Sequence, residues 1–294
     1  MKTQATIVRS PLFVPGGIYE VRILDTPDGT ISGYFNNERE MNAAVAQYDG
    51  KVKAIYVTMN PVKRELLARS PNRLLKRAKV TTTDAEIVRR IWLLIDLDPE
   101  RKAGTSSTDS EHQAAFDMAE RVRVFLSEHG WPEPIMADSG NGAHLLYKIE
   151  LPNDSGSTTL LKNILTMLAR RFDDETAKVD TRVYNAARIT KLYGTMACKG
   201  PNTDERPHRP SMFISRPLPE DMNVVPTELL KTLATQIKNE GRPKGNAIAG
   251  GTDLRAFIAR QKLTVVRENR GTRPVSSSSW RAVPSTTTIN VKPP

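Results

Sequence analysis

The stretch IWLLIDLDPE, residues 91–100, most restricts what this chain can fold into. Four bulky apolar residues, Trp92 to Ile95, suit a strand that is buried on both faces of a sheet. Asp96 and Asp98 follow at a spacing of two, which puts both carboxylates on one face where the strand ends. Like charges side by side repel each other unless a cation lies between them. The stretch therefore predicts a core strand that ends in a paired acidic site.

Composition allows a core that needs no covalent crosslinks. The chain has 294 residues, 38% of them hydrophobic, and a single cysteine, Cys198. One cysteine excludes an intramolecular disulfide and a structural zinc site built on several thiolates. We find neither a signal-peptide core nor an apolar run long enough to span a membrane. We expect a soluble, cytoplasmic protein with one large domain, or a medium domain with an appendage.

Periodicity along the chain predicts an α+β fold. Turn residues between β-rich runs predict one hairpin around TPDG, residues 26–29, and another around SGNG, residues 139–142. Helices are predicted at 38–48, 62–69, 83–90, 111–129 and 158–172, and further strands at 53–61, 178–183, 187–194 and 211–215.

The second hairpin, DSGNGAHLLY, also carries chemistry. His144 follows a turn that contains Gly140 and Gly142, and Ser139 lies at the entrance of this turn. Backbone amides, a hydroxyl and an imidazole could therefore converge on one anion. The alternative is an ordinary hairpin whose histidine only packs on the sheet.

A third segment, residues 178–211, combines one acid with a basic series. Asp180, placed at the start of a short predicted strand, precedes these cations: Arg182, Arg188, Lys191, Lys199, Arg206, His208 and Arg209. This order suits a site that holds metal on one side and phosphates or a template strand on the other. A solvated basic face is the alternative.

Together, LLIDLDP, DSGNGAHLLY and KVDTRVYNAARITKLYGT with KG…RPHRPS resemble the catalytic core of the archaeo-eukaryotic primase superfamily. The likeness is to its bacterial, phage and plasmid primase-polymerases, including the CRISPR-associated ones. That family has a D-x-D at a strand end, an S-x-H-like hairpin and a later single Asp, in this order. The resemblance covers residues 15 to 220 and implies an RRM-like antiparallel sheet packed with a second α/β unit, with the site between them.

The resemblance implies roles for individual residues. Asp96, Asp98 and Asp180 would be catalytic and would bind two divalent ions, Mg²⁺ or Mn²⁺. The implied nucleotide-binding residues are Ser139, Asn141, His144, Arg188, Lys199, Arg206, His208 and Arg209. Ser139 and His144 are five residues apart here, whereas the strict family pattern separates them by two. The lone cysteine argues against the zinc module that relatives often carry.

The implied activity is template-dependent nucleotidyl transfer, as a DNA primase, a DNA polymerase or both. Its partners would be a single-stranded DNA template, a primer strand and NTP or dNTP, with a helicase or other replication protein in trans and no membrane. Two alternatives stay open. A metal-dependent nuclease could use the same acids, and a non-catalytic RRM-type binding module would need aromatic residues on its central strands.

Charge and composition divide the chain into three parts. We predict a primase-polymerase core at 1–220, a C-terminal helix of this core at 221–240 and a flexible basic tail or linker at 241–294. The formal net charge is +10, and from Lys238 onward eleven Lys and Arg residues stand against three acids. A basic segment rich in Gly, Pro, Ser and Thr is attracted to polyanions, most commonly nucleic acid. The alternative is a tail that only aids solubility.

Deleting residues 241–294 should weaken template binding without unfolding the core. The deletion removes cations that release counterions from single-stranded nucleic acid, so the salt dependence of binding should become flatter. We expect a nearly unchanged melting temperature, because the segment has too few apolar residues for a core of its own. Filter binding of the full-length and truncated proteins at two salt concentrations measures the effect. Identical salt slopes would contradict a recruiting role.

Overall fold

The structure is a computed structural model that describes residues 10–215 and 222–235. The chain divides into two compact units, Met1–Gly251 and Thr252–Pro294, and every described residue belongs to the first. The tail predicted at 241–294 lies outside the described residues.

Eleven strands and four α-helices occur in the described ranges. The strands are β1 (Tyr19–Thr26), β2 (Gly29–Phe35), β3 (Ile55–Thr58), β4 (Arg90–Pro99), β5 (Ile135–Asp138), β6 (Ala143–Leu151), β7 (Ala177–Val179), β8 (Ile189–Lys191), β9 (Met196–Ala197), β10 (Arg209–Pro210) and β11 (Met212–Phe213). The helices are α1 (Glu38–Val45), α2 (Asp109–Glu128), α3 (Ser155–Phe172) and α4 (Thr227–Thr235), with two 3₁₀ helices, Arg64–Arg69 and Asp84–Glu86.

Two antiparallel sheets form the framework, which confirms the predicted α+β class. The first has the strand order β2-β1-β3-β8 and is covered by α1, whose Met41 and Val45 join its core. The second has the order β11-β5-β6-β4-β7, with α2 and α3 packed against it. A short β9-β10 ribbon completes the structure.

Strand β4 is the most buried strand of the second sheet. Its apolar residues from Ile91 to Ile95 and Leu97 are all buried, as the unbroken apolar run predicted. Its end pairs with β6 on one side and with β7 on the other. In this register Asp96 faces His144 across the strands, and Asp98 faces Lys178.

Both predicted hairpins are present, as β1–β2 and β5–β6. Helix α2 begins at Asp109, two residues before the predicted start, because Thr108 and Glu111 form a capping box there. Helix α3 begins at Ser155 because Asp154 accepts a hydrogen bond from the Ser157 backbone N–H at 2.7 Å. Helix α4 lies inside the segment predicted as the C-terminal helix.

Two predicted helices are wrong in type or extent. The segment 62–69 forms a 3₁₀ helix, Arg64–Arg69. The helix predicted at 83–90 is only the 3₁₀ turn Asp84–Glu86, after which Ile87 is extended. The backbone after this turn pairs with residues 61–63 instead, through Lys63 N–H to Glu86 C=O at 2.8 Å and Val88 N–H to Pro61 C=O at 3.0 Å. Tertiary pairing therefore prevents the helix from continuing.

Asp180 also differs from its predicted place at the start of a strand. Strand β7 ends at Val179, so Asp180 comes directly after it. The Asp180 carboxylate accepts a hydrogen bond from the Arg182 backbone N–H at 2.9 Å, which turns the chain away from the sheet.

None of the helices in the described ranges has both the length and the apolar character that crossing a bilayer requires.

The outer edge of β2 is covered by residues 70–78, a segment that turns at Asn72 and Arg77, where φ is positive. Ser32 and Leu75 exchange two backbone hydrogen bonds, of 3.0 and 2.8 Å. Gly33 lies under this segment, and a Cβ on it would lie 2.0 Å from the carbonyl oxygen of Arg73. Only glycine therefore lets the segment approach β2 this closely.

Gly33→Ala should lower the free energy of unfolding by about 1–3 kcal/mol, because the added methyl group overpacks the contact with the Arg73 backbone. Urea denaturation measures the change. Gly156→Ala is the matched control, since its Cβ would meet only an Asp154 oxygen at 3.5 Å in the first turn of α3. This control should be neutral or slightly stabilising. Equal stability of Gly33→Ala and wild type would contradict the close approach.

Candidate active site

The two acids that end β4 have opposite electrostatic environments. Burial opposes ionisation of Asp96, but the charge and hydrogen bond of His144, followed by the charges of Lys191 and Arg188, outweigh it and lower the pKa of Asp96. At Asp98, burial and the charge of Asp96 together raise the pKa, against a weaker opposing effect of Arg101. The pair thus carries the mutual repulsion that the spacing of two predicted.

Asp180 is joined to this pair through the backbone. Its N–H donates to the carbonyl oxygen of Asp96 at 2.8 Å, which brings the end of β7 beside the end of β4. Its carboxylate accepts a hydrogen bond from Arg182 Nε at 3.0 Å. The side chain of Arg182 is 85% exposed, so this surface ion pair adds little stability.

His144 is buried between Asp96 and Tyr193. Its Nε2 lies 3.3 Å from an Asp96 carboxylate oxygen, and its Nδ1 lies 2.6 Å from the Tyr193 hydroxyl. An ionised carboxylate can only accept, so we assign the ring proton to Nε2. Nδ1 accepts the proton of the Tyr193 hydroxyl when the ring is neutral, and donates to the hydroxyl oxygen when the ring carries the charge that lowers the pKa of Asp96. Burial raises the pKa of Tyr193, so this hydroxyl keeps its proton at neutral pH.

The first sheet contributes a buried amine to the same region. Lys191 lies on β8, with its Nζ 4.7 Å from the centre of the Tyr56 ring and 3.4 Å from the Tyr56 hydroxyl oxygen. Burial lowers the pKa of Lys191 to about 8, and the charge of Asp96 acts in the opposite direction. The amine is therefore close enough to the acids to offset part of their charge.

Further cations surround the acids. Arg101 Nη1 lies 3.3 Å from an Asp98 carboxylate oxygen. Burial and then the charge of Arg101 lower the pKa of Lys199, while Asp98 and Asp96 act to raise it. Arg188 donates from Nε to the Asn185 side-chain oxygen at 3.0 Å and from Nη2 to the Arg182 carbonyl oxygen. Three acids and five cations, including Lys191 and Arg182, thus form one region around the ends of β4, β7 and β8.

The hairpin residues Ser139 and Asn141 have contacts within the protein. The Ser139 hydroxyl lies 3.1 Å from the Gly142 carbonyl oxygen and accepts from the Gly142 N–H at 2.9 Å. The Asn141 side-chain oxygen accepts from the Ser107 N–H at 3.0 Å. A Cβ at Gly142 would lie 2.3 Å from the Leu97 carbonyl oxygen, so the turn packs directly on β4. These contacts hold the turn, and the predicted nucleotide contacts remain predictions.

The C-terminal cations of the predicted set hold the loop 199–210 against the start of α2. Arg206 makes a bidentate pair with Glu111, at 2.7 and 2.8 Å, and Arg209 pairs with Asp109 at 2.7 Å. His208 Nε2 lies 2.8 Å from the Gly200 carbonyl oxygen. These side chains already have partners inside the protein. Of the eight predicted nucleotide-binding residues, the structure places His144, Arg188 and Lys199 near the acids.

The donor set suits a hard divalent cation, although the side chains are not gathered around one point. Within 10–215 and 222–235, no three His, Cys, Asp or Glu side chains lie together in a metal-binding arrangement. Asp96 and Asp98 offer carboxylate oxygens, the ligands that Mg²⁺ and Mn²⁺ prefer. Burial and then the charge of Asp96 raise the pKa of Asp98, and a bound cation would oppose both effects. Asp180 would join them only by giving up its contact with Arg182.

Three residues of this region were not singled out from the sequence: Arg101, Tyr56 and Tyr193. Tyr56 lies in β3 of the first sheet, and Tyr193 lies in the loop after β8. Only the packing of the two sheets brings these residues to the acids. Lys191 was recognised only as one member of a basic series. Its place in the strand predicted at 187–194 was the available signal, and only the structure shows that this strand pairs with β3.

Tyr193→Phe should change the proton distribution on the His144 ring while preserving the fold. The Tyr193 ring packs on Phe213 at a centroid distance of 4.4 Å, and phenylalanine keeps this contact. Loss of the hydroxyl leaves Nδ1 of His144 buried without this partner, at a cost of about 1–3 kcal/mol. Nitrogen-15 NMR of the His144 ring and urea denaturation measure the two effects. An unchanged ring spectrum would contradict the assigned hydrogen bond.

The fold has a coarse similarity to a solved primase structure. No protein-family model matches the sequence, and no curated protein is detectably similar to it. Among solved structures, the chain is similar to the primase RepB′, with 13% sequence identity and a TM-score of 0.42. The match covers 76% of this chain and 58% of the primase chain, so this chain spans little more than half of that structure's length. A likeness at this level is coarse and does not establish an activity.

Proposed function

We propose that the protein is a nucleotidyltransferase that synthesises DNA or a primer on a single-stranded DNA template. The observation that carries the proposal is the pairing of Asp96 with Asp98 at the end of one strand, with Asp180 hydrogen-bonded to the Asp96 backbone. His144 of the hairpin lies 3.3 Å from Asp96, so residues from three separate sequence motifs lie near one another. These are the motifs on which the resemblance to primase-polymerases rests.

The surrounding charge supports a phosphate-bearing substrate. In nucleotidyl transfer, a 3′-hydroxyl attacks the α-phosphorus and pyrophosphate leaves, so negative charge must be balanced throughout. Two bound divalent ions, Mg²⁺ or Mn²⁺, would activate the attacking oxygen and stabilise the leaving one. Asp96, Asp98 and Asp180 would hold them. Lys191 and Lys199 would offset the charge of the triphosphate.

His144 would orient the Asp96 carboxylate and would also contact the nucleotide. Its ring is held from behind by Tyr193 and donates towards Asp96. A carboxylate fixed in this way presents its other oxygen in one direction, as in sites where outer partners orient a ligand. The ring's predicted contact with the nucleotide phosphates would require it to exchange this partner on binding.

The alternatives differ in what they would do with the same acids. A metal-dependent nuclease would cleave a strand, whereas a polymerase extends it. A non-catalytic RRM-type module gains nothing from two neighbouring carboxylates. Burial and the charge of Asp96 raise the pKa of Asp98, so keeping both acids ionised costs folding free energy. The acid pair therefore favours a catalytic site over a binding module.

An unprimed, single-stranded template offered with labelled nucleotides and either Mg²⁺ or Mn²⁺ tests the proposal. Labelled products longer than one nucleotide would support primer synthesis, and products only with an added primer would support extension alone. Shortening of an end-labelled template, with no incorporation under either condition, would favour the nuclease.

Asp96→Asn, Asp98→Asn and Asp180→Asn should each reduce nucleotide incorporation by more than about 100-fold, because loss of even an outer partner of a metal ligand costs 10–100-fold. Asp25→Asn is the matched control, since in the described part of the chain Asp25 forms an exposed ion pair with Lys53 and no other. Single-turnover incorporation measures the effect. Wild-type incorporation by any of the three variants would remove that residue from the site.

Thermal unfolding with and without Mg²⁺ gives a second measurement for the same variants. A ligand that binds only the folded state raises its melting temperature. We expect Mg²⁺ to stabilise the wild type and the Asp25→Asn control more than the three site variants. An equal shift in all five proteins would argue against metal binding by these acids.

A further inference from the structure

Residues 63–79, the basic strap, carry a concentration of positive charge outside the candidate active site. Their sequence is KRELLARSPNRLLKRAK, with seven Lys and Arg residues and one acid, Glu65. All seven cations are exposed: Lys63, Arg64, Arg69, Arg73, Lys76, Arg77 and Lys79. The strap is thus a basic surface within the folded core, separate from the predicted tail.

The strap has a hydrogen-bonded backbone and exposed charged side chains. Its backbone hydrogen-bonds to β2 of the first sheet at both ends. The Asn72 N–H donates to the Tyr34 carbonyl oxygen at 2.8 Å, and the Ala78 N–H donates to the Thr30 carbonyl oxygen at 2.8 Å. The close approach at Gly33 fixes it further. Because the backbone makes these contacts, the charged side chains are not needed to attach the strap to the sheet.

The charge of the strap is mostly uncompensated. Arg69 pairs with Glu86, and Lys76 pairs with Asp28 at 2.7 Å. For the other five cations, the described part of the chain supplies no ion pair. Like charges held on one ordered segment repel each other, and a polyanion removes that repulsion.

The arrangement fits an extended polyanion better than a single ion. Between Asn72 and Ala78 the strap follows β2 from Tyr34 to Thr30, which is four residue steps or about 13 Å, at roughly 3.3 Å per residue. A site for one phosphate would instead gather several donors on one point. Cations spread along an exposed segment match the repeating charge of a nucleic-acid backbone.

We infer that the basic strap binds the phosphate backbone of single-stranded DNA and forms a second template contact away from the acids. This inference rests on the proposed function for the identity of the strand. The strap borders β2, and β8 with Lys191 is at the other edge of the same sheet. Four inter-strand spacings separate the strap from β8, or about 19 Å. A template bound at both places crosses this sheet.

The test compares two triple variants of the full-length chain. Arg73→Gln, Arg77→Gln and Lys79→Gln together remove three strap charges and leave its backbone contacts intact. The matched control is Lys162→Gln, Arg170→Gln and Lys231→Gln, which removes three exposed charges from α3 and α4. Both variants should melt close to the wild type, so a binding difference would reflect position and not net charge.

Fluorescence anisotropy with an oligodeoxythymidine of about 30 nucleotides, without metal or nucleotide, measures binding over a range of salt concentrations. The slope of log K against log salt should fall by about 2 in the strap variant, at about 0.7 per lost phosphate contact, and stay near wild type in the control. An unchanged slope in the strap variant, or an equal fall in both, would overturn the inference. If the strap variant loses binding to phosphatidylserine vesicles but still binds DNA like the wild type, the strap is a lipid-binding surface and the inference is overturned.

A parallel extension assay separates this inference from the proposed function. The strap variant should need more template for half-maximal incorporation, with unchanged use of nucleotide. If the wild type incorporates nothing but its DNA binding still depends on the strap, the proposed activity is wrong and the strap remains a DNA-binding surface. If the wild type incorporates nucleotide and the strap variant binds with the wild-type slope, only the strap assignment fails.

Discussion

The register of β4 between β6 and β7 is the constraint on which the rest of the site depends. It sets Asp96 opposite His144 and brings Asp180 within a backbone hydrogen bond of Asp96. Side chains alternate along a strand, so a slip of one residue would turn both acids to the other face. The apolar run before the acids opposes such a slip because it is buried between α2 and the neighbouring strands. The core packing of the second sheet thus fixes the face of β4 on which the acids lie.

Charge compensation lets the two neighbouring acids, Asp96 and Asp98, lie on one face of β4. His144, Lys191 and Arg188 lower the pKa of Asp96, and Arg101 acts in the same sense on Asp98. The pKa of Asp98 nevertheless stays raised, so the compensation is incomplete. The acids of this region therefore attract further positive charge. The lysines and arginines around them attract phosphate. Both affinities are needed by an enzyme that joins nucleotides.

The two sheets divide the work of the proposed enzyme. The second sheet carries the acids and His144, and the first supplies Lys191 and Tyr56 through its β8 edge. The opposite edge of the first sheet holds the basic strap, fixed through Gly33 and backbone hydrogen bonds. An edge strand left open is prone to pairing with another chain. The strap closes this edge and also presents charge to solvent.

Local signals in the sequence were sufficient for the β4 strand, its paired acids and both hairpins, because periodicity and turn chemistry act over a few residues. The same reasoning placed a helix at 83–90, where pairing with residues 61–63 is stronger than local propensity. It grouped Arg206 and Arg209 with Lys199, although ion pairs to Glu111 and Asp109 hold the first two against α2. Tyr193 and Tyr56 reach the acids only across long sequence separations. Which charged side chains meet the acids and which hold loops was decided by tertiary packing, since composition and spacing do not specify partners distant in the chain.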